Sequence, residues 1–226
     1  MIYYFDTKFN KSKIMKKLLL VAGIVLSAIN VHAQNQGDIS LDLYGGYTFQ
    51  DKIYADRAYV EIEDGFQYGI GAEFFLRSTK SLELKYLRMD TKTPIYGNSY
   101  GNVLNGVQLN PGNDKSAINY VLLAGNNYFP TSNPKLLPFI GLGLGVGWAS
   151  GDQSTDARFA WDLKAGVKIK TSESVSLKLH GYFQTIWGSY GSDVYWYPGW
   201  GYVSYPSDAS LYQFGLGAAV SFDFKH

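Results

Sequence analysis

The sequence predicts an all-β chain, an eight-stranded antiparallel up-and-down transmembrane β-barrel. Three observations carry that prediction. Apolar residues recur at every second position over runs close to the ~9–11 residues that a tilted strand needs to cross a bilayer, which gives each run one apolar and one polar face. The connections between the runs alternate between short and long. The composition, with 19 Tyr, 13 Phe, 5 Trp and 25 Gly, is that of strands and turns, and few stretches have helical period.

The N-terminus reads as an export signal. Lys16 and Lys17 precede the apolar run Leu18–Leu26, and Val31-His32-Ala33 places small residues at both cleavage-determining positions. The run is shorter than the ~20 residues of a helical span. Residues 1–33 are therefore expected to be a signal peptide, with Met15 as the true start, and residues 34–226 the barrel.

The strands follow in order. Ile39, Leu41, Leu43, Tyr47 and Phe49 alternate with Ser40, Asp42, Tyr44, Gly46 and Thr48. Tyr68, Ile70, Ala72, Phe74 and Leu76 alternate with Gln67, Gly69, Gly71, Glu73, Phe75 and Arg77. Leu82, Leu84 and Tyr86 alternate with Glu83 and Lys85, but Leu87, Arg88 and Met89 break the parity, for which a β-bulge is the expected cause. Ile118–Ala124 is apolar on both faces, so its facing is open. Ile140, Leu142, Leu144, Val146 and Trp148 interleave with Gly141, Gly143, Gly145 and Gly147, where small residues relieve crowding inside a narrow barrel. Phe159, Trp161, Leu163, Ala165, Val167 and Ile169 oppose Arg158, Asp162, Lys164, Gly166 and Lys168. Val175, Leu177, Leu179 and Phe183 oppose Ser176, Lys178, His180, Tyr182 and Gln184. In the last strand Tyr212, Phe214, Leu216, Ala218, Val220, Phe222 and Phe224 alternate with Gln213, Gly215, Gly217, Ala219, Ser221 and Asp223.

Short turns are expected at Ser78-Thr79-Lys80, Pro130–Leu137 and Thr171-Ser172-Glu173, and longer connections at Phe49–Gly65, Thr91–Ser116, Ser150–Asp156 and Gly188–Ala209. This segregation of loop length by end is the pattern of outer-membrane barrels, short on the periplasmic side and long outside. A soluble sandwich has no reason to adopt it. If the apolar faces meet lipid, Asp42, Glu73, Arg77, Glu83, Lys85, Asp162, Lys164, Lys168, Lys178, His180 and Asp223 face the lumen. Lys or Arg on the lipid face at mid-bilayer costs about 2–4 kcal/mol, and the cleanly alternating strands place none there. Aromatics near strand ends, among them Tyr47, Trp148, Trp161, Tyr212, Phe222 and Phe224, fit interfacial girdles.

Charge and cysteine content exclude other classes. Loss of residues 1–33 removes five lysines and Asp6, taking the chain from 20 basic and 19 acidic residues to 15 and 18, which argues against a nucleic-acid partner. With no cysteine, disulfides and thiolate chemistry are absent.

The signal segment, eight alternating strands, segregated loops and aromatic final strand resemble the small eight-stranded outer-membrane barrels of the OmpA-membrane-domain, OmpX and OmpW type. The resemblance spans Gln34 to His226. It departs from the family pattern at Lys225 and His226, which follow the terminal aromatic. It implies the bacterial cell outer membrane as location. The partners expected in that location are outer-membrane lipid and lipopolysaccharide and the barrel-assembly machinery; an extracellular ligand is expected from the aromatic outer loop described below.

Eight strands leave an interior just wide enough for side chains to fill, so inward charges of mixed sign are expected to pair rather than line a pore. Some barrels of this size modify lipid A, and the deacylase type carries a His-x-Ser motif. Here the residues read His180-Gly181-Tyr182, on the lumen face, and a satisfied structural histidine is expected. Asp51, Asp56, Glu61, Glu63 and Asp64 offer oxygens suited to a hard cation but lack ligand-loop spacing, so neither metal nor cofactor is expected. The last long connection carries Tyr195, Trp196, Tyr197, Trp200, Tyr202 and Tyr205, residues of the kind that dominate binding hot spots. The sequence thus points to a non-enzymatic barrel with a filled polar lumen, serving envelope structure or surface interaction. A channel for small or hydrophobic solutes is the alternative, and a lipid A-modifying enzyme the third reading.

Overall fold

The computed structural model describes residues 36–54, 58–97, 107–152, 154–187, 194–197, 201–204 and 210–224, so the expected signal peptide lies outside the described residues. In chain order the strands are β1 (Ile39–Thr48), β2 (Asp51–Tyr54), β3 (Ala58–Ile62), β4 (Gly65–Arg77), β5 (Lys80–Lys92), β6 (Ile95–Gly97), β7 (Lys115–Tyr128), β8 (Leu136–Gly151), β9 (Arg158–Lys170), β10 (Val175–Ile186), β11 (Val194–Tyr197), β12 (Gly201–Ser204) and β13 (Leu211–Phe224). Eight of them close a barrel in the order β1-β13-β10-β9-β8-β7-β5-β4. Every neighbouring pair is antiparallel. β13 pairs with β1 from Phe224↔Ile39 to Gly215↔Thr48, which leaves the barrel without an open edge.

The three longest connections are not plain loops. They hold a three-stranded sheet, β2-β3-β6, and the hairpin β11-β12. At the other end side chains tie off the turns: the Ser172 hydroxyl accepts the Val175 N–H at 2.9 Å, and Thr131 donates to the Leu136 carbonyl at 2.8 Å.

Parity along the strands sets the two surfaces. Leu43, Ile70, Leu84, Leu123, Leu142, Leu144 and Leu216 point outward and are each 50–57 % exposed. A belt of half-bare leucines around the whole barrel is stable only against lipid. Toward the long-loop end the exterior turns aromatic: Trp161 meets Phe183, Phe183 stacks on Tyr212, and Phe214 stacks on Phe49.

Two expectations need correction, and one facing left open is resolved. β5 carries no bulge at Leu87, Arg88 and Met89. It pairs with β7 without a slip from Lys80↔Asn127 to Lys92↔Lys115, and Leu87 and Met89 simply remain on the inner face, which is apolar at that level. β7 turns Ile118, Tyr120, Leu122 and Ala124 inward and Val121 and Leu123 outward. Arg77 does not enter the lumen. The β4–β5 register shifts between Phe75 and Arg77, so Phe75 fills the inner position and Arg77 is exposed beside the turn.

Candidate functional site: the barrel interior and its outer rim

The interior has two tiers. Nearer the short-turn end it is ionic. Lys178 reaches Asp42 at 2.6 Å and Glu73 at 2.7 Å, Lys164 reaches Glu83 at 2.5 Å, Lys85 reaches Asp162 at 2.5 Å, and Lys168 reaches Asp223 at 3.0 Å. Within the ladder, like charges sit opposite each other: Glu73 faces Glu83, and Lys168 faces Lys178. Such neighbours repel, so each charge must find its counterion across the lumen. Every one of these pairs joins strands that are not ladder neighbours, for example β10 to β1 and β9 to β5.

Many of the remaining lone pairs are also taken up, although Asp162 Oδ1 is not. Ser40 and Ser176 donate to Asp223, Ser221 to Asp42, and Ser81, Asn126 and Tyr128 to Glu73. Tyr44 donates to Glu83. These hydroxyl and amide partners share strand parity with the charges, which is the signal that marks them in the sequence. Burying ions without such partners is costly. The glycines of β8 make room for the network, since a Cβ at Gly143 would collide with the Asp162 carboxylate and one at Gly141 with Asn126 and Lys164.

Toward the long-loop end the interior becomes apolar. Leu87, Met89, Ile118, Tyr120, Leu122, Ala149, Ala160, Ile186 and Leu211 form a buried cluster, and Ile62 of β3 is packed into it. The expectation of a polar lumen therefore holds for the ionic tier but not for this one. A polar bridge crosses the apolar tier: Tyr120 donates to Gln213 at 2.8 Å, and Gln184 donates to the same oxygen at 3.0 Å.

His180 lies between the tiers, its ring edge-on to Tyr44 at 5.9 Å and near Tyr182 and Phe139. Its Nδ1 is buried and has no hydrogen-bond partner among the described protein atoms. It borders a cavity of about 20 Å³ together with Gln67, Asp162 and Gln184, which also carry buried unpartnered atoms.

At the surface, Asp51 accepts the Tyr212 N–H at 3.0 Å and Glu61 pairs with Lys52 at 3.5 Å, while Asp56 lies outside the described residues. Glu63 and Asp64 line a hollow of about 550 Å³ at the outer rim. Among the described residues no group of three or more His, Asp or Glu side chains converges as a metal site would require. Tyr195, Trp196 and Tyr197 lie on β11 and Tyr202 on β12, with Trp196 and Tyr202 at directly opposed register positions; Trp200 and Tyr205 fall outside the described residues.

No known protein-family profile and no curated protein matches the chain. Solved structures do. The outer membrane protein OprG from Pseudomonas aeruginosa superposes with a TM-score of 0.55 at 12% identity, over 87% of this chain and 100% of that one. Neisserial surface protein A gives 0.53 at 12% identity, over 84% and 100%. The outer membrane protein AlkL gives 0.51 at 15% identity, over 88% and 95%. At such identities the likeness is one of fold. The closed register, the leucine belt and these neighbours agree that the chain has the fold of the small eight-stranded outer-membrane β-barrels.

Proposed function

We propose that this protein is a non-enzymatic barrel of the bacterial outer membrane that does not conduct, and that it serves envelope structure or surface interaction through its long-loop extensions. The observation that carries this reading is the lumen itself, in which five cross-barrel ion pairs lie beneath a packed apolar cluster. Its partners on this reading are outer-leaflet lipid and lipopolysaccharide, the barrel-assembly machinery during biogenesis, and an extracellular ligand of the β11–β12 hairpin. Purified protein in a planar bilayer is expected to give no reproducible open state, and a stable conductance would overturn the closed-lumen reading. The lipid A mass spectrum of cells is expected to be the same with and without the protein; a changed acyl pattern would make it an enzyme.

One observation favours a second reading, a route for small apolar solutes. The tier next to the long loops is lined by Met89, Ile118, Tyr120 and Leu122, a surface that a hydrocarbon can wet. Uptake of an apolar probe into proteoliposomes at a rate above that of empty vesicles would establish it over the first.

A further inference from the structure

The exterior of β5, β7 and β8 changes character along the barrel axis. Outward residues near the middle are aliphatic: Leu82 and Leu84 on β5, Leu123 and Val121 on β7, Leu142, Leu144 and Val146 on β8. One step toward the long loops come Tyr86 and Trp148, with Asn119 buried between the strands and accepting from the Tyr86 hydroxyl at 2.9 Å. Next is Arg88, paired with Asp90 at 2.7 Å, and Asp90 also accepts from Tyr68 at 2.8 Å. Last come Lys92 and Lys115. Acyl region, amphipathic interface and charged headgroup level succeed one another, as they do across one leaflet.

The two lysines are the unusual feature. They are directly opposed in the β5–β7 ladder and lie on the same outward face as the leucines below them. Both are exposed, and among the described residues no ion pair takes up either one. Like charges in directly opposed positions destabilise a ladder unless an anion lies between them. Both line the outer-rim hollow of about 550 Å³, with Ser116, Ser150 and Gly151 beside them. Gly151 has a φ of +118°, and its neighbour Asp152 exchanges hydrogen bonds with the Lys115 backbone, which leaves the lysine ammonium uncommitted.

We propose that this rim is a binding site for the phosphorylated headgroup of an outer-leaflet lipid, with the phosphate between Lys92 and Lys115 and the acyl chains against the leucines of β5, β7 and β8. Glu63 and Asp64 line the same hollow at the β3–β4 connection. Their charge disfavours a free anion, whereas a phosphate carried on acyl chains gains contact with the exposed leucines below the lysines. The site rests on the reading of the long-loop end as the outer face, but not on whether the lumen conducts.

The test uses the full-length barrel as wild type, as K92Q/K115Q and as K92R/K115R, each checked for folding by heat-modifiable migration. Retention of diphosphoryl lipid A through detergent exchange is read by native mass spectrometry. The glutamine pair is expected to retain it at least about tenfold less well than wild type, with recovery in the arginine pair and no difference among the three for fully dephosphorylated lipid A. Equal retention of diphosphoryl lipid A by wild type and the glutamine pair would sink the site. Displacement by inorganic phosphate as effective as by lipid A would also sink it, making the occupant a soluble anion. Neither result bears on the planar-bilayer measurement.

Discussion

A buried lysine shared by two carboxylates shows what the interior demands of single residues. Lys178 is fully buried and answers both Asp42 and Glu73. Removing one partner from a buried ion pair typically costs about 3–5 kcal/mol, because the other is left charged and dry. Lys178→Met is therefore expected to lower stability by that amount in urea titrations, and a loss under 1 kcal/mol would show that Asp42 and Glu73 find other cations. His180 supports a different prediction. Its Nδ1, Gln67 Nε2, Gln184 Oε1 and Asp162 Oδ1 are buried donors and acceptors on residues around one cavity of about 20 Å³. That is room for one water, which needs two to four such partners. A high-resolution crystallographic map is expected to show a water within hydrogen-bond distance of Nδ1, and a dry, well-ordered map there would refute it. Which charges point inward was legible from parity alone. Which charge meets which was not, because the pairs join strands far apart in the ladder and depend on register and closure. Arg77 shows the limit of parity, since a single register shift at Phe75 put it outside.

At the level of the strand, β8 states the design most openly. Its outward side is Ile140, Leu142, Leu144 and Val146, and its inward side is glycine. Leu144→Arg places a charge at mid-bilayer and is expected to cost about 2–4 kcal/mol. Gly145→Ala sets a Cβ 2.9 Å from the Leu122 Cα and hard against the Val121 carbonyl, which are backbone and cannot swing aside, whereas Gly125→Ala on β7 meets nothing within 4 Å. Overpacking of this kind costs about 1–3 kcal/mol, so the two alanine variants are expected to separate by that much in the same titration, and equal stabilities would mean that β7 and β8 can part at no cost. β8 was readable because lipid and lumen ask for opposite residues. β5 and β7 were harder to read because their upper lumen positions, Leu87, Met89, Ile118, Tyr120 and Leu122, are as apolar as a lipid face. Period-two analysis finds a strand there but cannot say which side is which until the register of the neighbours decides.

For the molecule as a whole, the proposed closed lumen implies two blocks in series, and the two differ in physics. The apolar tier excludes ions because they would have to shed water against Met89, Ile118 and Tyr120, with Ile62 packed over them. The ionic tier excludes them because Lys85–Asp162 and Lys164–Glu83 occupy the cross-section with side chains already bonded to one another. Barriers in series fail only together. Met89→Ala with Tyr120→Ala thins the first and leaves the second intact. Alanine at Glu83, Lys85, Asp162 and Lys164 thins the second, removing both partners of two of its pairs so that no charge is stranded, and leaves the first. Each set alone is expected to remain silent in a planar bilayer, and the two combined are expected to conduct, with folding verified by heat-modifiable migration in every variant. Conductance from either set alone would locate the whole block in one tier, and silence from the combined variant would place it in the pairs left standing, Lys178 with Asp42 and Glu73 and Lys168 with Asp223, or in the β2-β3-β6 sheet, which packs Ile62 onto the apolar tier.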